Sequence, residues 1–448
     1  PEKGFLNMFI LPSLYKSDIP YAKLALADWY FIFVFYLMPT TFIGFLPSQL
    51  LYIPGLMDHR LLTFMLALPL PFIGPRIDSS DFWNIPGIKL LCLVALSVVL
   101  RAIWTYVNNV PVFEIFAVLR WNLIWPIYSI CLLHYASRLP IERLYAILRI
   151  FLILFSVHVI LASISLLTNI DFFLNKVSDQ KAYEYIERGL PVDNLKAFPM
   201  HIFAGTAFLF ILFIRYHKKW SHALYSIAAI TLPLLFTRRM YSIIIFIQTA
   251  SIYSLSVLAG SRKVLFRIPI IILGVFLIVY AAEPTRVNIW FEKMMPVIEE
   301  GIEPENVATY LFRENLLEDS IVSISNNEKS LFGVGYQREY NQLRGALYSY
   351  ALGEDAPIAS VIFCEGWGGL FLRIFPYLFL MWCNIRRFIT VEEKDLRLYA
   401  AMVIGVLISQ IPAYLQTAAI THFEYFYVPF AIVELIILKI NNLYYPQK

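Results

Sequence analysis

Long apolar runs recur along the whole chain and are separated by short polar stretches. Many reach about 20 residues, the length of a helix that crosses roughly 30 Å of hydrocarbon. The runs lie at residues 28–48, 61–75, 88–107, 112–135, 143–168, 197–217, 221–236, 241–260, 267–282, 356–383, 397–415 and 423–440. The tenth is long and is interrupted by Gly366-Trp367-Gly368-Gly369. The pattern predicts an all-α polytopic integral membrane protein with about twelve transmembrane helices.

Lysine and arginine are concentrated in alternate loops between these runs. Because basic loops stay in the cytoplasm, this distribution places the basic loops and both termini on the cytoplasmic side. The residues concerned are Arg138, Arg143, Arg215, Lys218, Lys219, Arg262, Lys263, Arg267, Arg386, Arg387, Lys394 and Arg397.

The same topology leaves two long segments on the outer side, at about 169–196 and 283–355. The second is large enough to form a subdomain, so the chain divides into helices one to nine (1–282), a large helical periplasmic loop (283–355) and helices ten to twelve (356–448). Inside the loop, apolar residues at spacings of three and four predict a helix over 305–325 that ends at Asn326-Asn327. Gly333-Val334-Gly335 predicts a turn.

The composition agrees with a membrane protein. Hydrophobic residues make up 59% and charged residues 15% of the 448 positions, whereas soluble domains average about 45–50% and about 25%. The net charge is only +4 and no basic tract stands out, so a nucleic-acid partner has no support. Sequence motifs for nucleotide, nicotinamide or zinc sites are absent, and we expect no metal or cofactor. The four cysteines, in apolar runs without CxxC spacing, are interpreted as small buried hydrophobic residues: Cys92, Cys131, Cys364 and Cys383.

Three arginines on the outer side break the positive-inside pattern. Arg238 and Arg239 occupy the short turn between runs seven and eight, and Arg286 follows run nine. One interpretation is that these side chains extend to outer lipid headgroups. The sharper hypothesis is an anion site, because the planar guanidinium matches phosphate. Three arginines at one membrane face can neutralise a diphosphate.

Other charges lie within the apolar runs, where a charge is costly and marks a functional site by default. They are Arg101, Glu114, Arg120, Arg149, Arg373 and Glu434. Structural ion pairs are the alternative, and we favour them for Arg149, Arg373 and Glu434. Arg101 lies near the outer end of its helix and could join the outer site. His422, in the last outer turn, is a candidate for acid–base chemistry, with an inert exposed histidine as the alternative.

Four features follow one another in a fixed order over residues 197–440. These are an arginine turn opening a helix (Arg239 to Ile243), a large outer loop, a segment Ser330 to Tyr336 after a helix that Arg313 opens, and Asp355-Ala356-Pro357 leading to Gly366 through Leu370. Together they resemble the O-antigen ligase and O-antigen polymerase superfamily of polytopic bacterial glycosyltransferases. Asp355 stands where ligases carry histidine, and Cys364 stands at the family's glutamate position with Glu365 beside it. These differences favour the polymerase branch.

The resemblance implies a metal-independent glycosyltransferase of the bacterial inner membrane. It would join undecaprenyl-diphosphate-linked oligosaccharide units into an O-antigen, capsule or exopolysaccharide at the periplasmic face. Arg238, Arg239, Arg286 and Arg313 would bind the diphosphate, with Arg239 and Arg286 acting in catalysis. Asp355 is the first candidate for the general base, and Glu365 or His422 is the second. The loop tyrosines Tyr336, Tyr340, Tyr348 and Tyr350 would stack on sugars or pack within the loop.

Partners implied by the resemblance are membrane lipid, a chain-length regulator and a flippase. Three alternatives stay open: an O-antigen ligase transferring glycan to lipid A-core, a transporter of lipid-linked sugars, and a non-catalytic assembly subunit. A transporter should have paired broken helices in its two halves, and this chain has no such pairing.

Overall fold

The computed structural model of the protein describes residues 23–37, 64–75, 80–108, 110, 112–168, 227–229, 239–260, 262–299, 308–326, 329–336, 357–411 and 427–444. Within these ranges the regular secondary structure is helical and no residue lies in a strand, which confirms the predicted α class. The helices are α1 (Leu26–Ile32, continued by a π-helical turn, Phe33–Leu37), α2 (Ser80–Trp83), α3 (Ile88–Val107), α4 (Val112–Ser137), α5 (Ile141–Thr168), α6 (Arg239–Leu258), α7 (Arg262–Ala282), α8 (Pro284–Glu299), α9 (Ala308–Asn326), α10 (Pro357–Thr390), α11 (Lys394–Ser409) and α12 (Val428–Tyr444).

Most of these helices coincide with predicted membrane spans. Six helices match apolar runs to within a few residues at each end that is described. They are α3, α4, α5, α6, α11 and α12. Helix α7 begins at Arg262, before the apolar run, and α10 continues to Thr390, beyond it. Basic residues such as Arg and Lys are good helix formers, so the helices extend into the polar flanks that hydropathy alone assigned to loops.

The second predicted span is not a continuous helix, and this prediction was wrong for the described part of the run. Helical structure covers 64–67, and turns follow over 68–74. Pro69 and Pro71 lack the backbone N–H that a helix needs, and Gly74 adopts a φ of 127°. The released carbonyls of Leu70 and Ile73 accept hydrogen bonds from Nη2 of Arg138, at 3.1 and 3.3 Å. Arg138 therefore stabilises the proline-containing turn from the end of α4.

The buried apolar residues form two clusters. The larger one joins residues of α1 to α8 and α10 to α12 into the main core. The smaller one gathers Val98 of α3, Leu316 and Ile324 of α9, and Tyr336 beneath the first half of α10. Helix α9 and the segment 329–336 thus pack directly on α3 and α10, which brings the predicted loop onto the helices before and after it in the chain.

Two helices of the described residues are long and apolar enough to cross a bilayer. They are α3, with 20 residues, and Ile358–Thr390 of α10, with 33 residues. Shorter apolar helices occur at Leu26–Phe35, Ile243–Leu258, Pro269–Ala282 and Leu396–Ser409. The twelve-span topology and the positions of the termini stay predictions. Predicted spans six and seven, apart from 227–229, lie outside the described residues.

The cysteine interpretation holds in part. Cys131 and Cys364 are buried, Cys92 and Cys383 are half-buried, and all four are free thiols. The predicted turn at residues 333–335 is confirmed, because Gly333 and Gly335 have φ angles of 70° and 89°. Helix α9 ends at Asn326 as predicted, although it begins at Ala308.

Candidate functional site

The segment 329–336 docks on a break in α10. Four backbone hydrogen bonds join the two elements, two donated by each. They run from the N–H of Val334 to the carbonyl of Phe363 (2.9 Å), from Gly335 to Cys364 (3.1 Å), from Trp367 to Ser330 (2.9 Å) and from Gly368 to Leu331 (3.0 Å). Two motifs that are well separated along the chain therefore form one structural unit.

These bonds replace the helical bonds that the break removes. In a regular α-helix the N–H of Trp367 would bind the carbonyl of Phe363, and Gly368 would bind Cys364. Gly366 instead has φ 65° and ψ −173°, which interrupts the helix at this point. The docked segment supplies a donor to each freed carbonyl and an acceptor to each freed N–H. A buried backbone group without such a partner would be costly, so the break and the segment stabilise each other.

Substituting Gly366 with alanine should separate the two elements. A Cβ atom at 366 would lie 2.6 Å from the backbone nitrogen of Gly333 and 2.6 Å from the carbonyl oxygen of Leu331. The dihedral angles also fall in a region open essentially to glycine alone, at a cost of about 1–3 kcal/mol before any clash. We expect Gly366→Ala to lower the thermal unfolding midpoint clearly, measured by intrinsic fluorescence in detergent micelles.

Gly274 provides the matched control for that measurement. It lies inside α7, and a Cβ atom there would meet no atom within 4 Å. Gly274→Ala should be neutral or stabilising by up to about 1 kcal/mol, because alanine is the better helix former. Equal unfolding midpoints for Gly366→Ala and the unchanged protein would contradict the docking role.

A buried ion pair lies directly behind the docked segment. The carboxylate of Glu365 accepts hydrogen bonds from Nε of Arg373 at 2.9 Å and from Nη2 of Arg373 at 2.6 Å. The hydroxyl of Tyr336 donates to the Oε1 atom of Glu365 at 2.8 Å. Glu365 is 1% exposed and Arg373 and Tyr336 are 0% exposed. The charged centre is therefore closed off from solvent and linked to the loop through Tyr336.

Tyr336 also links the segment to α3. Its backbone N–H donates to Oγ1 of Thr105 at 3.1 Å, and that hydroxyl donates to the carbonyl of Arg101 at 2.7 Å. Burial, and then the adjacent Glu365 carboxylate, raise the pKa of the Tyr336 phenol well above its ordinary value. The phenol therefore stays protonated and serves as a hydrogen-bond donor. Of the two predictions for Tyr336, stacking on sugars is wrong, because its ring is buried in the smaller apolar cluster.

Arg101 reaches the same centre from α3. Its guanidinium is close enough to attract the carboxylate of Glu365. Its Nη1 atom is buried and has no hydrogen-bond partner within the described part of the chain. The structure places Arg101 beside Glu365, and its predicted place in the outer site of Arg238, Arg239 and Arg286 stays a prediction.

A second buried charge cluster lies near the opposite end of α10. Arg387 binds both carboxylate oxygens of Glu434, each at 2.8 Å. Oε1 of Glu434 also accepts hydrogen bonds from Tyr399 at 3.0 Å and from Asn384 at 3.3 Å. This carboxylate, on α12, is engaged with side chains of two other helices, α10 and α11, in agreement with the structural interpretation of Glu434.

The remaining predicted site residues can be placed only by their backbone or lie outside the described residues. Arg239 is the first residue of α6, and Arg286 lies in the first turn of α8. Arg313 lies inside α9 and does not open that helix, so this detail was wrong. The side chains of these three arginines are not described, and Arg238, Asp355 and His422 lie outside the described residues.

Arg239 and Arg286 lie at the start of α6 and just past the end of α7. Helices α6 and α7 contact each other and follow one another across residues 259–261. An antiparallel pair, which is common for helices joined by a short loop, would bring the start of α6 and the end of α7 to one end, where α8 begins at Pro284.

No sequence pattern indicated that Tyr336 and Thr105 would link the docked segment to α10 and α3, because their contacts depend on how the segment docks. Among the described residues, His, Cys, Asp and Glu side chains do not gather in groups of three that could hold a metal ion. No protein-family model and no curated protein matches the chain.

Proposed function

We propose that the protein is a polytopic bacterial inner-membrane polymerase that joins lipid-diphosphate-linked oligosaccharide units at the periplasmic face. The observation that carries this proposal is the docking of segment 329–336 on the broken helix α10. Two of the four features of the O-antigen polymerase resemblance lie in these elements, and they are hydrogen-bonded to each other.

Membrane embedding is supported by the side chains on the outward faces of the helices. Leu100 of α3, Ile153 of α5, Ile270 of α7 and Trp382 of α10 are 57%, 61%, 67% and 61% exposed. Soluble proteins rarely expose extended apolar surfaces of this kind. Lipid chains would cover these faces, and the helices satisfy their own backbone groups as a bilayer requires.

The reaction is a glycosyl transfer from one lipid carrier to a second lipid-linked oligosaccharide. A hydroxyl oxygen of the acceptor attacks the anomeric carbon of the donor, and the bond from that carbon to the diphosphate oxygen breaks. The electron pair leaves with the diphosphate, and the acceptor proton passes to a base. Arg238, Arg239, Arg286 and Arg313 stabilise the charge on the leaving diphosphate, and no cofactor takes part.

In this scheme Asp355 is the general base and Glu365 holds the site together. Glu365 is engaged with Arg373 through both oxygens and with Tyr336 through one. Asp355 lies two residues before Pro357, the first residue of α10, at the junction of the proposed outer loop and span ten. The hydrogen bond from Tyr336 to Glu365 holds residues 329–336 of that loop against the same helix.

The direct test is incubation of the purified protein with one undecaprenyl-diphosphate-linked oligosaccharide, with the products resolved by length. A ladder of longer lipid-linked chains supports a polymerase. Transfer only to added lipid A-core would identify a ligase instead. An unaltered substrate, with protein that is folded and inserted, would contradict both enzymatic functions.

The role of Asp355 can be separated from helix capping by one substitution. Asparagine caps a helix about as well as aspartate but cannot act as a base. We expect Asp355→Asn to lower chain extension by roughly 10²–10⁴-fold, the usual contribution of a general base, without changing the unfolding midpoint. The measurement is the rate of chain extension in the purified system.

The adjacent acid Glu354 provides the control, because Glu354→Gln removes a neighbouring carboxylate and should leave the rate within a few-fold of the unchanged protein. Normal polymer output from Asp355→Asn would reduce the residue to a helix cap. The base would then have to be Glu365 or His422.

A further inference from the structure

Helices α7 and α8 meet in a sharp bend at Pro284, the first residue of α8. Proline has no backbone N–H, so the helical hydrogen bond to the carbonyl of Tyr280 cannot form. The ring centroids of Phe276 and Phe291 lie 6.1 Å apart, although fifteen residues span about 22 Å along a straight helix. Helix α8 therefore turns away from the axis of α7, and Phe291 faces back along the side of α7.

One side of α8 is buried against the bundle. Val287 is 0% exposed and belongs to the main core together with Val279 of α7. Trp290, about one turn further on, is half-buried and packs against the same core. These contacts hold α8 against the preceding helices, so the fold sets the directions in which its other side chains point.

The exposed residues of α8 are divided into an apolar strip and a polar strip. Phe291 and Met295, four residues apart on one face, are 39% and 41% exposed. Asn288 and Glu292 are also exposed, and the helical repeat places them farther around the helix from the buried Val287. A helix with this division suits the boundary between hydrocarbon and water.

The apolar strip of Phe291 and Met295 continues the surface of α7 that the proposed membrane embedding assigns to lipid. Phe276, which contacts Phe291, stacks on Tyr280 at 6.4 Å, and Tyr280 is 45% exposed. Leu273 of α7 is 58% exposed. Lipid chains that cover α7 would therefore meet the apolar strip of α8 next to Tyr280, a residue type enriched at membrane–water interfaces.

We propose that α8 is an interfacial helix, which lies in the outer leaflet between the headgroups and the acyl chains of the phospholipids. Phe291 and Met295 enter the acyl region, and Asn288 and Glu292 face the headgroups and water. The backbone of Arg286, in the first turn of α8, then lies at the depth of the lipid phosphates, where the leaving diphosphate would be bound. The inference rests on the proposed function for its membrane setting, and contact with lipid is measured independently of chain extension.

The experiment replaces one residue at a time with the photoreactive amino acid p-benzoyl-phenylalanine, in the full chain reconstituted into vesicles of phosphatidylethanolamine and phosphatidylglycerol. After irradiation, mass spectrometry detects phospholipid adducts and gel electrophoresis detects crosslinked copies of the chain. The replaced residues are Phe291 and Met295 of the apolar strip, with Glu292 of the polar strip and Leu273 of α7 as controls. We expect positions 291 and 295 to give adduct yields close to that of position 273, and position 292 to give almost none.

Each outcome bears on the interfacial helix. Adducts at positions 291, 295 and 273 but not at 292 support it. Adducts at 273 alone would overturn it and leave the membrane embedding of the proposed function intact. Crosslinks from 291 or 295 to a second copy, without phospholipid adducts, would also overturn it, because the strip would then be a protein interface. Adducts at none of the four positions would contradict the membrane embedding itself, and with it the interfacial helix. Either strip position decides alone if the other variant fails to fold.

Discussion

Replacing Arg373 with methionine should cost about 3–5 kcal/mol of stability, the usual penalty for breaking a buried ion pair. Arg373 is 0% exposed, and its Nε and Nη2 atoms bind the two carboxylate oxygens of Glu365. Methionine fills much of the same volume but leaves the Glu365 carboxylate with one hydrogen-bond donor, the Tyr336 hydroxyl, and without its bidentate ion pair. The measurement is thermal or denaturant unfolding in detergent, followed by tryptophan fluorescence.

A double-mutant cycle isolates the pair from its surroundings. Glu365→Gln leaves Arg373 without its carboxylate and should also destabilise, whereas Glu365→Gln combined with Arg373→Met removes both charges. The double variant should therefore be more stable than the sum of the single effects implies. Arg386→Met removes an exposed arginine of the same helix and should change stability by no more than about 0.5 kcal/mol. Strictly additive single effects would contradict a coupled pair.

Disruption of the Glu365–Arg373 pair is expected to lower both stability and the rate of chain extension. Loss of the Glu365 anchor should loosen Tyr336 and hence the segment 329–336, which is hydrogen-bonded to α10 on both sides of Gly366. Tyr336→Phe removes only the hydroxyl contact and should cost less, about 1.5–3 kcal/mol for one buried hydrogen bond to a charged group. Its ring would still fill the small core beneath α10.

The helices were largely predictable because burial and length leave a strong trace in hydropathy. The interruption of α10 was also predictable, since glycines at 366, 368 and 369 occur within one apolar run. The prolines at 69 and 71 indicate a turn equally clearly, but the hydrophobicity of residues 61–75 favoured a membrane span. A run of suitable hydropathy with two prolines should have been assigned as turns.

The docked segment could not be predicted from the sequence. Four of its hydrogen bonds with α10 join backbone atoms, and backbone hydrogen bonds leave no pattern of side chains. The Glu365–Arg373 pair was hidden for a related reason. Eight residues span about 12 Å along a regular helix, so this spacing does not mark partners. The break at Gly366 changes the path of α10 directly between the two residues.

Chain extension should fall by about tenfold to more than a hundredfold when Arg239 or Arg286 is replaced with alanine. A hydrogen bond to a charged group contributes about 1.5–3 kcal/mol, and the contribution grows where water is excluded. Arg239 begins α6 and Arg286 lies just past the end of α7, and we expect these two helices to run antiparallel, so that one diphosphate engages both arginines. The measurement is the rate of polymer formation by purified protein at saturating lipid-linked substrate.

Lysine substitutions test the geometry of this contact as well as its charge. Arg239→Lys and Arg286→Lys keep the positive charge but lose the two parallel N–H donors, so they should restore only part of the rate. Arg386→Ala, on an exposed position of α10, controls for the general loss of an arginine. Full activity in either alanine variant would remove that arginine from the diphosphate site.

The double variant, Arg239→Ala with Arg286→Ala, tests whether both arginines bind the same diphosphate. If Arg239 and Arg286 hold the same diphosphate, loss of one already misplaces the group that the other binds. The double alanine variant should then lose less than the product of the two single effects, as is common for residues that act as a unit. Multiplying effects would instead assign the two arginines to separate anions, such as the donor diphosphate and the acceptor diphosphate. A polymerase that binds two lipid carriers at once needs a positive charge for each of the two diphosphates.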